Sequence, residues 1–431
     1  MVSSLWSRIG GLWSALGIQK AAVLVFSFFV GHQMGAEALG VMATVLAVSW
    51  LVGTLAGMGL PDHALFRGAS KERSSFGRRL HGLFVVSIWV VHLLLWLVAP
   101  LVAGTAEPEL VDFSRGLIIG AGAQCASSLS LGWLRGASEP RWETWATVVA
   151  ALVLMAGAWV GVPLGAVWAA SGLVMFVSAM VGAWKVGGIG PQAPTFRDLA
   201  PIVKTGIPYL CFGVGAWLLG NIDILMGRVA HPPEEVGVLQ VGTMAVRGLG
   251  MVPWVAGTLM LQPLHEAWTS EQKPTPYRWA AMGGGVGLLV ASFALLVMPL
   301  LAQGHALPVS SVERSTWAAC LFAPVLYPMI LLAPISAAWS LRGTLKSFGI
   351  GLIASLGAAS QAFDQPEVAS CIFVAGTGQV VTLLWLIHTL RSPRKERVEV
   401  GFGAVTPSER TGGLLGQSLE FGQSSPVHGE E

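Results

Sequence analysis

The chain has 431 residues, of which 54% are apolar and 11% charged, with 18 Trp against 3 Tyr and a net charge of +2. A soluble domain carries about 25% charge, so this composition excludes a soluble enzyme, a secreted disulfide scaffold and a disordered chain. With a mean hydropathy of +0.67 it points to a polytopic membrane protein, and the near-neutral balance gives no reason to expect nucleic acid.

Residues 3–16 place Leu5, Trp6, Ile9, Leu12, Trp13 and Leu16 at helical spacing. They read as an amphipathic interfacial helix over 1–16 that runs into the first span. No small-residue cleavage site follows a short apolar run, so a removable leader is not expected.

About twenty apolar residues cross a hydrocarbon core about 30 Å thick. Twelve blocks of that kind follow. Spans 1 to 6 fall near 14–34, 38–60, 81–103, 114–134, 144–161 and 165–185. Spans 7 to 12 fall near 206–229, 236–261, 279–302, 317–340, 347–362 and 369–390. The expected fold is therefore all-α: twelve transmembrane helices in two pseudo-symmetric six-helix bundles around a central cavity. The N-terminal bundle is read as 14–185, a Gly/Pro-rich cytoplasmic linker as 186–205, and the C-terminal bundle as 206–390. A disordered cytoplasmic tail is read over 391–431.

One set of connecting loops holds Arg67, Lys71, Arg73, Arg78, Arg79, Arg135, Arg141, Lys185, Arg197, Lys204, Lys273, Arg278, Arg342 and Lys346. The opposite set holds Arg115, Arg228 and Arg314. Positive loops stay inside, so both termini are expected in the cytoplasm. The four Cys each sit in an apolar block without metal-ligand spacing and read as packing residues. No metal is expected.

An internal repeat supports two halves. Glu37-Ala38-Leu39-Gly40-Val41 stands between spans 1 and 2, and Glu234-Glu235-Val236-Gly237-Val238 between spans 7 and 8. Pro61-Asp62-His63 and Pro263-Leu264-His265 close the second span of each pair. Gly40 and Gly237 are read as the residues that let the chain turn at the membrane surface.

Ionisable residues inside a membrane cost about 2.5–3.5 kcal/mol each on insertion scales and are functional candidates by default. Arg247 lies near the middle of span 8. It reads as a cavity cation for an anionic head group such as pyrophosphate, because its fork binds phosphate bidentately; a structural ion pair with Asp223 is the alternative. Lys20, in the inner part of span 1, is either a second cavity cation or a snorkelling side chain. Asp223, in the outer third of span 7, is expected to pair with Arg247 or Arg228, or to carry a coupling proton or sodium ion. His92, central in span 3, reads first as a packing residue, with a proton relay as the functional alternative. Gln124, Ser127 and Ser128 in span 4 are read as cavity polar groups or as helix-packing residues. Arg67 is the member of its basic cluster placed nearest a substrate entrance.

The first sixty residues, with Lys20, Met34-Gly35-Ala36-Glu37-Ala38-Leu39-Gly40 and Gly57-Met58-Gly59-Leu60, resemble the Wzx-type polysaccharide flippases of the multidrug/oligosaccharidyl-lipid/polysaccharide exporter superfamily. Met34 stands where that family usually has Leu. The second half resembles them through Asn221-Ile222-Asp223-Ile224-Leu225-Met226-Gly227, Glu235-Val236-Gly237-Val238-Leu239-Gln240 and Gln262-Pro263-Leu264. The resemblance implies a bacterial inner-membrane flippase that moves an undecaprenyl-pyrophosphate-linked oligosaccharide from the cytoplasmic to the periplasmic leaflet by alternating access. It implies no cofactor beyond a coupling H+ or Na+. The implied partners are the lipid-linked glycan, membrane lipids, a polysaccharide polymerase and a chain-length regulator. The alternatives are a drug/cation antiporter of the same superfamily, a peptidoglycan-precursor flippase, and a membrane polymerase or ligase using the same lipid carrier. No nucleotide loop, nucleophile elbow or mid-membrane carboxylate pair is present, so an enzyme is not expected.

Overall fold

The computed structural model describes residues 2–61, 75–136, 139–186, 196–250, 253, 257, 276–305, 307–362 and 367–391. Among these residues the secondary structure is helical, with no strand. Met1–Glu396 forms one compact unit. Eight of the described helices are long and apolar enough to cross a membrane, one of them 43 residues long.

That longest segment holds spans 1 and 2, which form one helical stretch, Val2–Ala56, broken at Gly35. Gly35 has φ 86° and ψ −176°, a region essentially reserved for glycine. The break folds the chain back, so that Leu39 lies against Gly31. Residues 2–16 continue helically into span 1 without a break.

Span 3 is Ser75–Leu97, extended by the short helix Ala99–Ala103. Spans 4, 5 and 6 are Pro108–Gly136, Pro140–Val160 and Leu164–Lys185. Span 7 is Phe196–Ala230, so its helix begins inside the stretch read as linker. Span 8 is Pro233–Leu249, with Pro253 and Gly257 again helical beyond it. Spans 9 to 12 are Pro276–Gly304, Val309–Trp339, Leu341–Ala362 and Ser370–Arg391. The tail after Arg391 and most of the linker lie outside the described residues.

Many of the helices leave apolar side chains such as Leu93, Leu101, Leu296 and Leu356 exposed. Lipid is the solvent that tolerates them. Cations stack on aromatic rings near the helix ends: Lys185 on Trp142 at 4.9 Å, Arg391 on Tyr277 at 4.2 Å, and Arg115 on Trp96 at 4.8 Å. Such pairs suit the interface between hydrocarbon and water.

One buried cluster joins the two halves at the end that carries Gly35. Phe26, Val30 and Met42 pack there with Phe113 and Trp168 of the first half, and with Val241, Leu301 and Leu307 of the second. Gly40 and Gly237 sit in this seam. Gly40 is buried inside span 2 rather than at a turn, which corrects the sequence reading. A Cβ on Gly40 would overlap the Pro233 carbonyl oxygen, and one on Gly237 would overlap the Ala36 carbonyl oxygen. These glycines let two helices touch backbone to backbone, while Gly35 supplies the turn. At the opposite end, Met58 and Gly59 meet Gly206 and Leu210 of span 7.

Candidate functional site

Span 8 starts on Pro233 and carries Glu234 and Glu235 in its first turn, where the helix dipole favours negative charge. Its regular part ends just after Arg247. Pro253 has no N–H for the Leu249 carbonyl, and the Gly250 N–H donates to the Arg247 carbonyl at 3.0 Å instead of reaching Val246. The freed Val246 carbonyl accepts the Tyr327 hydroxyl of span 10 at 2.9 Å. Tyr327 is fully buried, so this bond satisfies both groups and fixes the backbone beside Arg247.

The Arg247 guanidinium donates to Oδ2 of Asp223 in span 7. The other carboxylate oxygen accepts the Ile224 N–H at 3.0 Å. The pair is asymmetric: the Asp223 side chain is 3% exposed and that of Arg247 21%. The carboxylate is thus consumed within the protein, while the guanidinium has further donors beyond this pair.

Lys20 lies on the facing helix. Ser27 of span 1 touches the Met244 sulfur at 3.4 Å. Seven residues are two helical turns, so Lys20 falls on the Ser27 face of span 1. Measured along the axes from the Ser27–Met244 contact, Arg247 lies about 4.5 Å and Lys20 about 10 Å away, both toward the end opposite Gly35. Among the described residues Lys20 makes no hydrogen bond or ion pair, and it is half-buried. Lys20 and Arg247 therefore stand on facing helices of the two bundles, about 6 Å apart along the axes, and Asp223 is already paired.

Arg228 does not meet Asp223. It donates to the Ala103 and Gly104 carbonyls at 3.4 and 3.5 Å, joining span 7 to the end of span 3. His92 lies in the N-terminal bundle, 1% exposed. Its Nδ1 bonds the Ile88 carbonyl at 2.8 Å, and its ring packs against Gly122 of span 4. The Ser127 and Ser128 hydroxyls donate to the Gln124 and Cys125 carbonyls of their own helix at 2.6 Å each. Ser127 is wholly buried, an environment that suits the helix-packing alternative. Gln124 and Ser128 are half-buried. Arg67 lies outside the described residues.

Sequence reasoning missed two participants. Tyr327 stood inside a Pro-rich apolar span without a charge to mark it. His305 lies just beyond the expected end of span 9, and its Nε2 meets Ser27 at 3.0 Å.

No protein-family model matches the chain, and no curated protein matches it. Solved structures do. An outward-facing multidrug resistance MATE family transporter of the MOP superfamily is similar over 89% of this chain and 94% of its own, at 15% identity and a TM-score of 0.63. The Vibrio cholerae MATE transporter VcmN in its bent form covers 90% and 98%, at 13% and 0.58. A MOP superfamily transporter from Pyrococcus furiosus, described as having a binding pocket of reversed polarity that suggests a different function, covers 90% and 96%, at 16% and 0.58. The chain has the fold of these transporters: twelve membrane helices in two bundles around a central cavity. It is a multi-pass membrane protein.

Proposed function

We propose that the chain is an alternating-access transporter of an anionic, lipid-linked oligosaccharide, moving it from the cytoplasmic to the periplasmic leaflet of a bacterial inner membrane. The observation that carries this reading is the Arg247–Asp223 pair, in which the carboxylate is buried and satisfied at both oxygens while the guanidinium has more donors than this one partner uses. Lys20 adds a second cation from the opposite bundle. A pyrophosphate offers the acceptors that such donors fit. The glycan would occupy the space between the bundles while the polyprenyl tail stays in lipid.

A drug/cation antiporter on the same fold would want a free carboxylate for a cationic substrate. Among the described residues Asp223 is the carboxylate at this site, and Arg247 neutralises it, which favours an anionic cargo. Each negative charge that leaves a cytoplasm held at −100 mV gains about 2.3 kcal/mol, so the membrane potential assists the proposed direction. In this reading both termini are cytoplasmic, and the partners are the polymerase and chain-length regulator that receive the glycan.

The test is deletion and complementation in the source bacterium. Loss of surface polysaccharide with accumulation of lipid-linked repeat units, restored by the intact chain and not by a well-expressed Lys20→Gln, Arg247→Gln variant, is the expected result. Normal surface polysaccharide after deletion, combined with sensitivity to cationic drugs, would overturn the reading in favour of an antiporter.

A further inference from the structure

Among the described residues, ionisable side chains bridge the two bundles at the Gly35 end in two places: Arg228 through the Ala103 and Gly104 carbonyls, and His305 through Ser27. His305 follows the last residue of span 9, is 0% exposed, and is held from both sides. Its Nδ1 meets the Leu301 carbonyl of its own span at 2.7 Å. Its Nε2 meets the Ser27 hydroxyl of span 1 at 3.0 Å. The Phe28 ring stacks at 5.5 Å, and the His305 backbone lies against Gly31.

These partners fix the tautomer. The Leu301 carbonyl can only accept, so Nδ1 carries the proton. Nε2 of the neutral ring is then a lone pair, and the Ser27 hydroxyl is the donor that fills it. That hydroxyl also lies 2.7 Å from the Leu24 carbonyl, which competes for the same proton. Protonating Nε2 would resolve the competition, because Nε2–H would donate to Ser27 and Ser27 to Leu24. It would also place a charge without a counter-ion among Phe28, Gly31, Met244 and Leu301. An unpaired buried charge costs more than one hydrogen bond returns. Titratable and charged groups of the packed elements at this end, His32 of span 1, Glu37 of span 2, Arg228 of span 7, Glu234 and Glu235 of span 8 and Glu313 of span 10, are partly or fully exposed. No hydrogen bond joins any of them to the imidazole.

We propose that His305 is a proton-binding site that couples separation of the two bundles at the Gly35 end to protons arriving from that side. The neutral ring ties span 9 to span 1 and holds the seam shut. The imidazolium is accommodated when the seam opens and water reaches it. Burial holds the His305 imidazole below its ordinary value in the sealed form. Opening returns it toward about 6.5. The open form thus binds the proton more tightly, and falling pH on that side drives opening, while raising the pH removes this drive and leaves the sealed form. This inference rests on the alternating-access reading and is independent of which cargo is carried.

The test uses the full chain in lipid vesicles without substrate. Spin labels are placed at Glu107→Cys and Glu313→Cys, exposed sites on opposite bundles at this end. Cys211, the exposed native cysteine, is replaced by Ser, while Cys125, Cys320 and Cys371 are buried. The label-to-label distance distribution should shift to longer values from pH 8 to pH 5. His305→Gln, which keeps a polar side chain and cannot take up the proton, should give one distribution at all pH values. Ser27→Ala should keep the pH response with its midpoint displaced. A wild-type distribution that ignores pH, or a His305→Gln profile that tracks the wild type, would overturn the proposal. Either outcome leaves the cargo assignment standing, because that assignment is tested by export and by ligand binding.

Discussion

Gly40 and Gly237 touch each other's helices in the same way. Gly40 lies against the carbonyl oxygen of Pro233, four residues before Gly237, and Gly237 lies against that of Ala36, four residues before Gly40. The contact is reciprocal, as a pseudo-twofold axis between the two halves requires. A Cβ at either position overlaps a backbone oxygen, which cannot swing aside as a side chain can. Gly40→Ala and Gly237→Ala should each lower stability by about 1–3 kcal/mol through overpacking. The two changes should be sub-additive, since the first already parts the helices. Thermal unfolding of the purified single and double variants reads this out.

Gly35 makes a different prediction. A Cβ there meets nothing within 4 Å, so space is not its constraint. Its φ of 86° and ψ of −176° lie in a region open essentially to glycine, and any other residue would be strained by about 1–3 kcal/mol. Gly35→Ala should destabilise without disturbing the Gly40–Gly237 contact, and a double variant with Gly237→Ala should therefore be additive.

Much of this architecture was legible in the sequence because lipid demands long apolar helices. The spans emerged from length and composition alone. The repeat emerged as well, but its meaning did not. An acidic residue and a glycine near a span boundary fit a turn as well as a helix crossing, and only a partner helix distinguishes the two. Arg247 and Asp223 stood out because charge is rare at that depth. Which cation Asp223 selects depends on the rotation of span 7, and the sequence does not fix that. Tyr327 and His305 were overlooked for one reason: each acts through a neighbouring helix distant in sequence, Val246 for the first and Ser27 for the second.

The Asp223–Arg247 pair should behave as a unit. Asp223→Ala or Arg247→Ala alone leaves an uncompensated buried charge and should cost about 3–5 kcal/mol. The Asp223→Asn, Arg247→Gln double variant carries no orphaned charge and should recover most of that stability. A double-mutant cycle by thermal or denaturant unfolding measures the coupling.

Tyr327→Phe deletes a single hydroxyl and leaves the buried Val246 carbonyl without its partner. The expected loss is about 1–3 kcal/mol. If the bond also positions Arg247, ligand affinity should fall along with stability. Unfolding and ligand titration on the same preparation separate the two effects.

Arg228 ties span 7 to the Ala103 and Gly104 carbonyls across the Gly35 end. Arg228→Ala should raise the separated population at fixed pH, seen as more of the long-distance component between labels at positions 107 and 313. A variant that retains His305 should keep its pH response.

The most direct measurement of the central claim is ligand binding by the purified protein in detergent. Titrations would compare a polyprenyl pyrophosphate with a lipophilic cation such as tetraphenylphosphonium. The account predicts that the anion binds and the cation does not. It also predicts that Arg247→Gln in the Asp223→Asn background, which leaves no charge unpaired, weakens anion binding about 10- to 100-fold, the equivalent of roughly 1.5–3 kcal/mol for a hydrogen bond to a charged group. Binding of the cation in preference to the pyrophosphate, or anion affinity unchanged in that variant, would contradict it.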